Sequence, residues 1–115
     1  MNEHCYYLKA NRVYDRDRNC YLISICLEGE VKLEPNYTEV ARRLENKEVL
    51  VQIQSTDREF ISDYIPLVKV DNVYYTEKSF QIPPTETRNN FANLSVDLVV
   101  RNALIVRRPL EDLFR

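Results

Sequence analysis

The chain has 115 residues, of which 44% are hydrophobic and 30% are charged, and its formal net charge is −2. This balance is typical of a globular protein and excludes a disordered polar chain, and the length predicts a single domain over residues 1–115. Charged residues interrupt the apolar runs well short of the roughly 20 apolar residues that a membrane helix requires, so we expect no membrane span.

The chain contains a single glycine, Gly29, although glycine usually makes up about 7% of residues. Phosphate-binding loops, dinucleotide-binding motifs and the nucleophile turn of serine hydrolases all depend on glycine for a close backbone approach or a strained turn. The sequence therefore excludes these three classes of site. Asparagine and aspartate must supply the left-handed turn conformations instead.

The residues that most often build reactive centres are scarce. The three cysteines, at positions 5, 20 and 26, form no CxxC pair and are odd in number, which argues against a disulfide framework and against a zinc site. The sole histidine, His4, lies next to the chain start, where an enclosed and partnered position is rare. We predict that the protein is not an enzyme and holds no metal ion or cofactor. Since residues 1–12 lack the pattern of a secretory signal, we expect a cytoplasmic protein, of a host or an infected cell.

The chain begins with a predicted hairpin. Residues 5–14 and 20–27 are rich in tyrosine, valine, isoleucine and leucine and predict two strands, joined by the polar stretch "DRDRN". A tight turn at Glu28 and Gly29 then leads into a third predicted strand at 30–34.

The stretch "PNYTEVARRLEN" changes to helical spacing. Asn36 is a good N-cap and Glu39 follows three residues later, which is the arrangement of a capping box. We predict a short helix of about 10 residues here, which tertiary packing must hold because so short a helix is marginal by itself.

The second half of the chain predicts further strands. "EVLVQIQ" alternates as a half-buried strand, and the following "STDREFISDY" fits a loop or a helical turn. "IPLVKVDNVYYTEKSFQI" predicts a hairpin with a two-residue turn at Asp71 and Asn72, and "PPTETRNN" predicts a loop. "NLSVDLVVRNALIVRR" favours a strand that bends or turns at Arg101 and Asn102, with an amphipathic helix as the alternative. Pro109 suits the first position of a short terminal turn.

Three strands, one helix and four strands, with short connections, predict a mainly β protein of the α+β class. We expect a small antiparallel barrel or sandwich of about seven strands with one short helix between strands 3 and 4. This element order resembles that of small oligonucleotide-binding barrels.

The first hairpin also supplies the main candidate site. Tyrosine and basic residues alternate there, and they would form either a protein interface or a stacking surface for single-stranded nucleic acid. Tyrosine is also a favoured strand residue that packs its ring and leaves its hydroxyl in water, which is the structural alternative. The candidate residues are Tyr6, Tyr7, Lys9, Arg12, Tyr14 and Arg16.

The tail "RRPLEDLFR" resembles the short peptides with which replication proteins dock onto sliding clamps. The resemblance implies that Leu110, Leu113 and Phe114 act as plugs in a pocket of the clamp. The glutamine that usually opens such a motif is missing, and the same three residues would also suit packing on their own domain.

These observations together favour a non-catalytic protein-binding module, such as an assembly subunit, adaptor or inhibitor, and a homo-oligomer would fit the same pattern. The scarcity of glycine is compatible with a phage or mobile-element origin. The alternative is a protein that binds single-stranded nucleic acid with a small barrel and docks a replication clamp through its tail.

Overall fold

The computed structural model describes residues 7–28, 48–71, 73–86 and 91–114. Within these ranges the chain forms eight strands and two short 3-10 helices. The strands are β1 (Tyr7–Asp15), β2 (Cys20–Glu28), β3 (Val49–Ser55), β4 (Ile65–Val70), β5 (Val73–Thr76), β6 (Phe80–Ile82), β7 (Leu94–Val100) and β8 (Ala103–Pro109). The 3-10 helices are η1 (Pro84–Glu86) and η2 (Leu110–Leu113).

The strands form one open, curled antiparallel sheet that makes a half-barrel. Its order is β1-β2-β5-β4-β3-β7-β8, and β6 pairs with β2 beyond the end of β5. The mainly β prediction is confirmed. The predicted turn at Gly29, the third strand at 30–34 and the short helix fall within residues 29–47 and lie outside the described residues.

The first hairpin is confirmed. β1 and β2 pair along their whole length, from Tyr7 opposite Glu28 to Asp15 opposite Cys20. The turn covers residues 16–19 and is one residue shorter than predicted, because Asp15 still belongs to β1. Asn19 closes the turn with a φ of 49°, a left-handed conformation that asparagine tolerates well.

The predicted hairpin is also confirmed at its described residues, since Val70 pairs with Val73 and Asp71 has a φ of 57°. Asn72 itself lies outside the described residues. The strand that follows is interrupted, however, and forms β5 and β6 rather than one continuous arm. Tyr75 of β5 pairs with Cys26 of β2, and Phe80 of β6 pairs with Ile23 of β2. The two β2 residues are three positions apart in the sequence, whereas Tyr75 and Phe80 are five positions apart. Two extra residues therefore bulge out between β5 and β6. The Oγ1 atom of Thr76 accepts a hydrogen bond from the Ile25 amide at 3.1 Å and satisfies that buried donor beside the interruption.

The last strands form a third hairpin. Arg101 and Asn102 have φ values of 51° and 67°, and Val100 pairs with Ala103, which matches a two-residue turn with both central residues left-handed. The prediction of a strand turned at these residues is confirmed, and the helical alternative is wrong. The segment "STDREFISDY" is a loop with one isolated bridge, between Gln54 and Ile61, so the helical-turn alternative is wrong there as well.

The hydrophobic core lies on the inner, concave face of the half-barrel and takes alternate residues from the strands. η2 lies against β1, β7 and β8, and its Leu110 and Leu113 are buried in the same core. The C-terminal segment therefore closes part of the open side of the half-barrel. In the part of the chain that the structure describes, no helix has the length and apolarity needed to cross a membrane.

Candidate interaction site on the first hairpin

The register of the first hairpin decides which way the β1 side chains point. Ala10 lies opposite the fully buried Ile25, so it faces the core, and the pleat places Arg12 and Tyr14 on the same face. Lys9 lies on the opposite, outer face, where its ammonium forms an ion pair with Glu28. The predicted platform that combined Lys9 with Arg12 and a tyrosine is therefore not formed.

Beyond the core, the inner face carries a row of aromatic rings, which we call the aromatic row: Tyr14, Tyr21, Phe91 and Phe114. Successive ring centres are 5.2, 5.4 and 5.0 Å apart along this row. The first two contacts are edge-to-face and the third is tilted, which are favourable arrangements for aromatic quadrupoles. The row thus links the first hairpin to the C-terminal tail.

The aromatic row runs from solvent into the core. Tyr14 is 44% exposed, whereas Phe91 is only 3% exposed. The hydroxyl of Tyr14 donates a hydrogen bond to Oδ1 of Asn19, which orients the ring at the hairpin end. Phe91 has a φ of 70°, an uncommon conformation for a bulky residue, and surrounding packing must hold it.

Arg12 stacks against the inner part of this row. The Cζ atom of its guanidinium lies 4.9 Å from the ring centre of Phe114 and 5.2 Å from that of Phe91, within the range of cation–π attraction. The Arg12 side chain is nevertheless exposed. Among the residues that the structure describes, no carboxylate pairs with Arg12 and no acceptor receives a hydrogen bond from it.

The structure brings together only some of the predicted site residues. Arg12 and Tyr14 meet at the aromatic row, and Arg16 is exposed in the adjoining turn. Tyr7 contributes its backbone to β1, but its side chain and the whole of Tyr6 lie outside the described residues.

Sequence reasoning missed two members of the aromatic row. Tyr21 could have been found, because a hairpin with a polar tip places it opposite Tyr14. Phe91 gives no local signal, because it follows a polar loop and reaches Tyr21 only through the tertiary fold.

The three predicted tail residues pack on their own domain. Leu110 is 0% exposed and Leu113 is also buried, while Phe114 is half-buried in the aromatic row. In this structure the two leucines do not project as plugs. Docking onto a sliding clamp would first require η2 to leave the core.

A second charged arrangement lies on the outer face of the sheet. Asp97 of β7 is 3% exposed and accepts two hydrogen bonds from Arg107 of β8, at 2.7 and 2.9 Å, and one from Gln54 of β3, at 3.1 Å. These hydrogen bonds raise the pKa of Arg107 above its ordinary value. Both carboxylate oxygens of Asp97 already accept hydrogen bonds from neighbouring strands, which makes Asp97 and Arg107 a structural pair.

The structure also contains a shallow cleft of about 300 Å³ between residues 60–65 and residues 78–81. Its lining includes two charged residues, Asp63 and Lys78, and two serines. In the described ranges, no group of three or more His, Cys, Asp or Glu side chains could hold a metal ion.

Comparison with known protein families, with curated proteins and with solved structures finds no match to this chain.

Proposed function

We propose that this protein is a non-catalytic protein-binding module of the cytoplasm, acting as an assembly subunit, adaptor or inhibitor. Its contact surface is the end of the first hairpin, where Arg12 and Tyr14 reach solvent. The observation that carries the proposal is Arg12 itself, an exposed cation stacked on Phe91 and Phe114 with no described acid partner.

Tyrosine and arginine are among the residues most enriched at the energetic centres of protein interfaces. Binding energy is lost when flexible side chains must be ordered, by about 0.5–1.5 kcal/mol for each such side chain. Here stacking orders Arg12 and the hydrogen bond to Asn19 orders Tyr14 before any partner arrives. A partner would therefore meet a surface that is already arranged.

The test is a pull-down from the source cells with three tagged proteins: the wild type, the Arg12→Ala/Tyr14→Ala double variant and a Lys78→Ala control. Lys78 is also an exposed residue, but it lines the cleft and takes no part in the hairpin surface. We expect a protein, or a second copy of the chain, that the wild type and the control retain and the double variant loses. Circular dichroism would check that all three proteins fold.

Recovery of the same partner at equal yield with the double variant would contradict the proposal. So would measured turnover of a metabolite that a single substitution abolishes.

The second candidate function is binding of single-stranded nucleic acid. The observation in its favour is the aromatic row beside Arg12, because stacking of bases on aromatic rings contributes about 1–3 kcal/mol per base. Fluorescence anisotropy with a labelled oligothymidylate over a range of salt concentrations separates the two functions. Saturable binding that weakens steeply with salt, and that the double variant loses, would favour this second function.

A further inference from the structure

From the same surface we infer that Arg12 is a carboxylate-binding site, which receives an acidic side chain of the protein partner. This inference rests on the proposed function, because the partner provides the carboxylate. It goes further by naming the chemical group that the site recognises.

The guanidinium group of an arginine is planar. Its two flat faces stack on aromatic rings, while its five N–H donors point outward in the plane of the group. The Cζ atom of Arg12 lies over the rings of Phe91 and Phe114, and no described residue accepts a hydrogen bond from its N–H donors. A carboxylate can accept two parallel hydrogen bonds from such donors.

Two of the three acids of the described hairpin are engaged elsewhere, and the third, Asp17, is exposed in the turn. Asp15 accepts hydrogen bonds from the backbone amides of Asp17 and Arg18 and forms an ion pair with the Arg18 guanidinium at 3.1 Å. Glu28 pairs with Lys9 on the outer face. Arg12 therefore holds a positive charge that no acid of the described hairpin neutralises.

The aromatic surroundings strengthen the interaction. Phe91 is buried and Phe114 is half-buried, so one side of the guanidinium faces apolar rings rather than water. An ion pair is stronger where the local dielectric constant is lower. Stacking also holds the guanidinium in place, so that little side-chain freedom is lost when a carboxylate binds.

A protein carboxylate fits the surface better than the phosphates of a nucleic acid. Phosphate-backbone binding depends on clustered lysines and arginines. Here Lys9 faces the opposite side and Arg18 is paired with Asp15, which leaves only Arg12 and Arg16 among the basic residues of the described hairpin. The net charge of −2 also disfavours a polyanion. Tyr14 lies next to Arg12 on the same face, so the bound acidic residue would have an apolar neighbour that contacts the tyrosine ring.

The test is an NMR titration that follows the Nε–Hε resonances of the arginines in the ¹⁵N-labelled protein. The probe is the blocked tripeptide acetyl-Leu-Glu-Leu-amide, and its matched control is the glutamine isostere. We expect the glutamate probe to shift the Arg12 resonance in a saturable way, and the glutamine probe to bind at least about fivefold more weakly.

Two variants separate the geometry from the charge. Arg12→Lys keeps the charge but loses the planar donors, so we expect it to weaken glutamate-probe binding at least about fivefold, as followed by backbone amide shifts of β1. Arg58→Lys changes an exposed arginine of the 56–64 loop and should leave probe binding unchanged.

Several results would overturn the inference: no shift at Arg12, equal shifts with the two probes, or unchanged binding in Arg12→Lys. A stronger response to inorganic phosphate or to oligothymidylate than to the glutamate probe would also overturn it. The pull-down with the Arg12→Ala/Tyr14→Ala variant is a separate measurement. If a partner is lost there while the probe fails to bind, the proposed function stands and carboxylate recognition fails.

Discussion

Arg107 and Arg12 lie in different regions of the same sheet, and their environments give them different roles. Arg107 of β8 donates two hydrogen bonds to the buried Asp97, whereas Arg12 of β1 stacks on phenylalanine rings with no described acid partner. Arg107 therefore compensates a carboxylate that burial would otherwise destabilise. In the proposed function, Arg12 instead offers its donors to a group of the partner. An arginine thus indicates a binding site only where the fold leaves its charge without an internal partner.

The largest expected effect concerns removal of the structural arginine. Arg107→Ala would leave Asp97 buried with only Gln54 as a side-chain donor, and we expect a loss of about 3 kcal/mol in the free energy of unfolding. Arg12→Ala is the matched substitution and should cost less than about 1 kcal/mol, because it removes an exposed cation–π contact. Urea unfolding of both variants measures the difference. Equal losses would show that the two arginines do not differ in role.

The C-terminal segment extends the comparison, because it joins the core at Leu110 and the aromatic row at Phe114. Leu110→Ala removes a fully buried side chain, and we expect a loss of about 2 kcal/mol, at the lower end for leucine because a terminal segment can relax into the cavity. Thermal or urea unfolding measures it. A variant with unchanged stability and lost binding to a sliding clamp would instead support the docking role of the tail.

The smallest expected effect is a pH-dependent one in the 56–64 loop. The hydrogen bond from the Ser55 hydroxyl, followed by that from the Glu59 amide, lowers the pKa of Asp57 below its ordinary value of 3.8. The folded state therefore gains stability from ionised Asp57 above that value and loses it as the pH falls through the lower folded pKa. Asp57→Asn should lower the melting temperature slightly at pH 7 and much less at pH 2.

Asp63→Asn changes an exposed acid of the same loop and is the control for Asp57→Asn. If Asp57→Asn lowers the melting temperature by the same amount at pH 7 and at pH 2, the side chain of Asp57 contributes to stability by its shape rather than by its charge.

Much of the strand pattern could be predicted because its causes are local. Alternation of apolar and polar residues marked β3, and the pairs Asp71–Asn72 and Arg101–Asn102 stand where tight turns occur. The division between β5 and β6 could not be predicted. It arises because both segments must pair with β2, and the two extra residues between them have no room in a continuous ladder.

The candidate site was predicted only in part. Arg12 and Tyr14 stood out as an arginine and a tyrosine in a strand, and strand alternation by itself separates Tyr14 from Lys9. The sequence did not show which of the two faces meets the core. The pairing of β1 with β2 decides this, because it places Arg12 opposite the buried Ile23. Leu110 and Leu113 suited two roles in the sequence, and the position of η2 places them in the core.

By itself the sequence determined which segments extend and where they turn, since backbone preferences and side-chain alternation act over a few neighbouring residues. It also determined that glycine-dependent phosphate sites are absent, because the residue they require occurs once. Only the tertiary structure decided that Arg12 meets Phe91 and Phe114, which are far away along the chain. The curled sheet and the C-terminal segment that packs against β1 create that contact. The conformational preferences of neighbouring residues do not specify a contact between residues so far apart in the sequence.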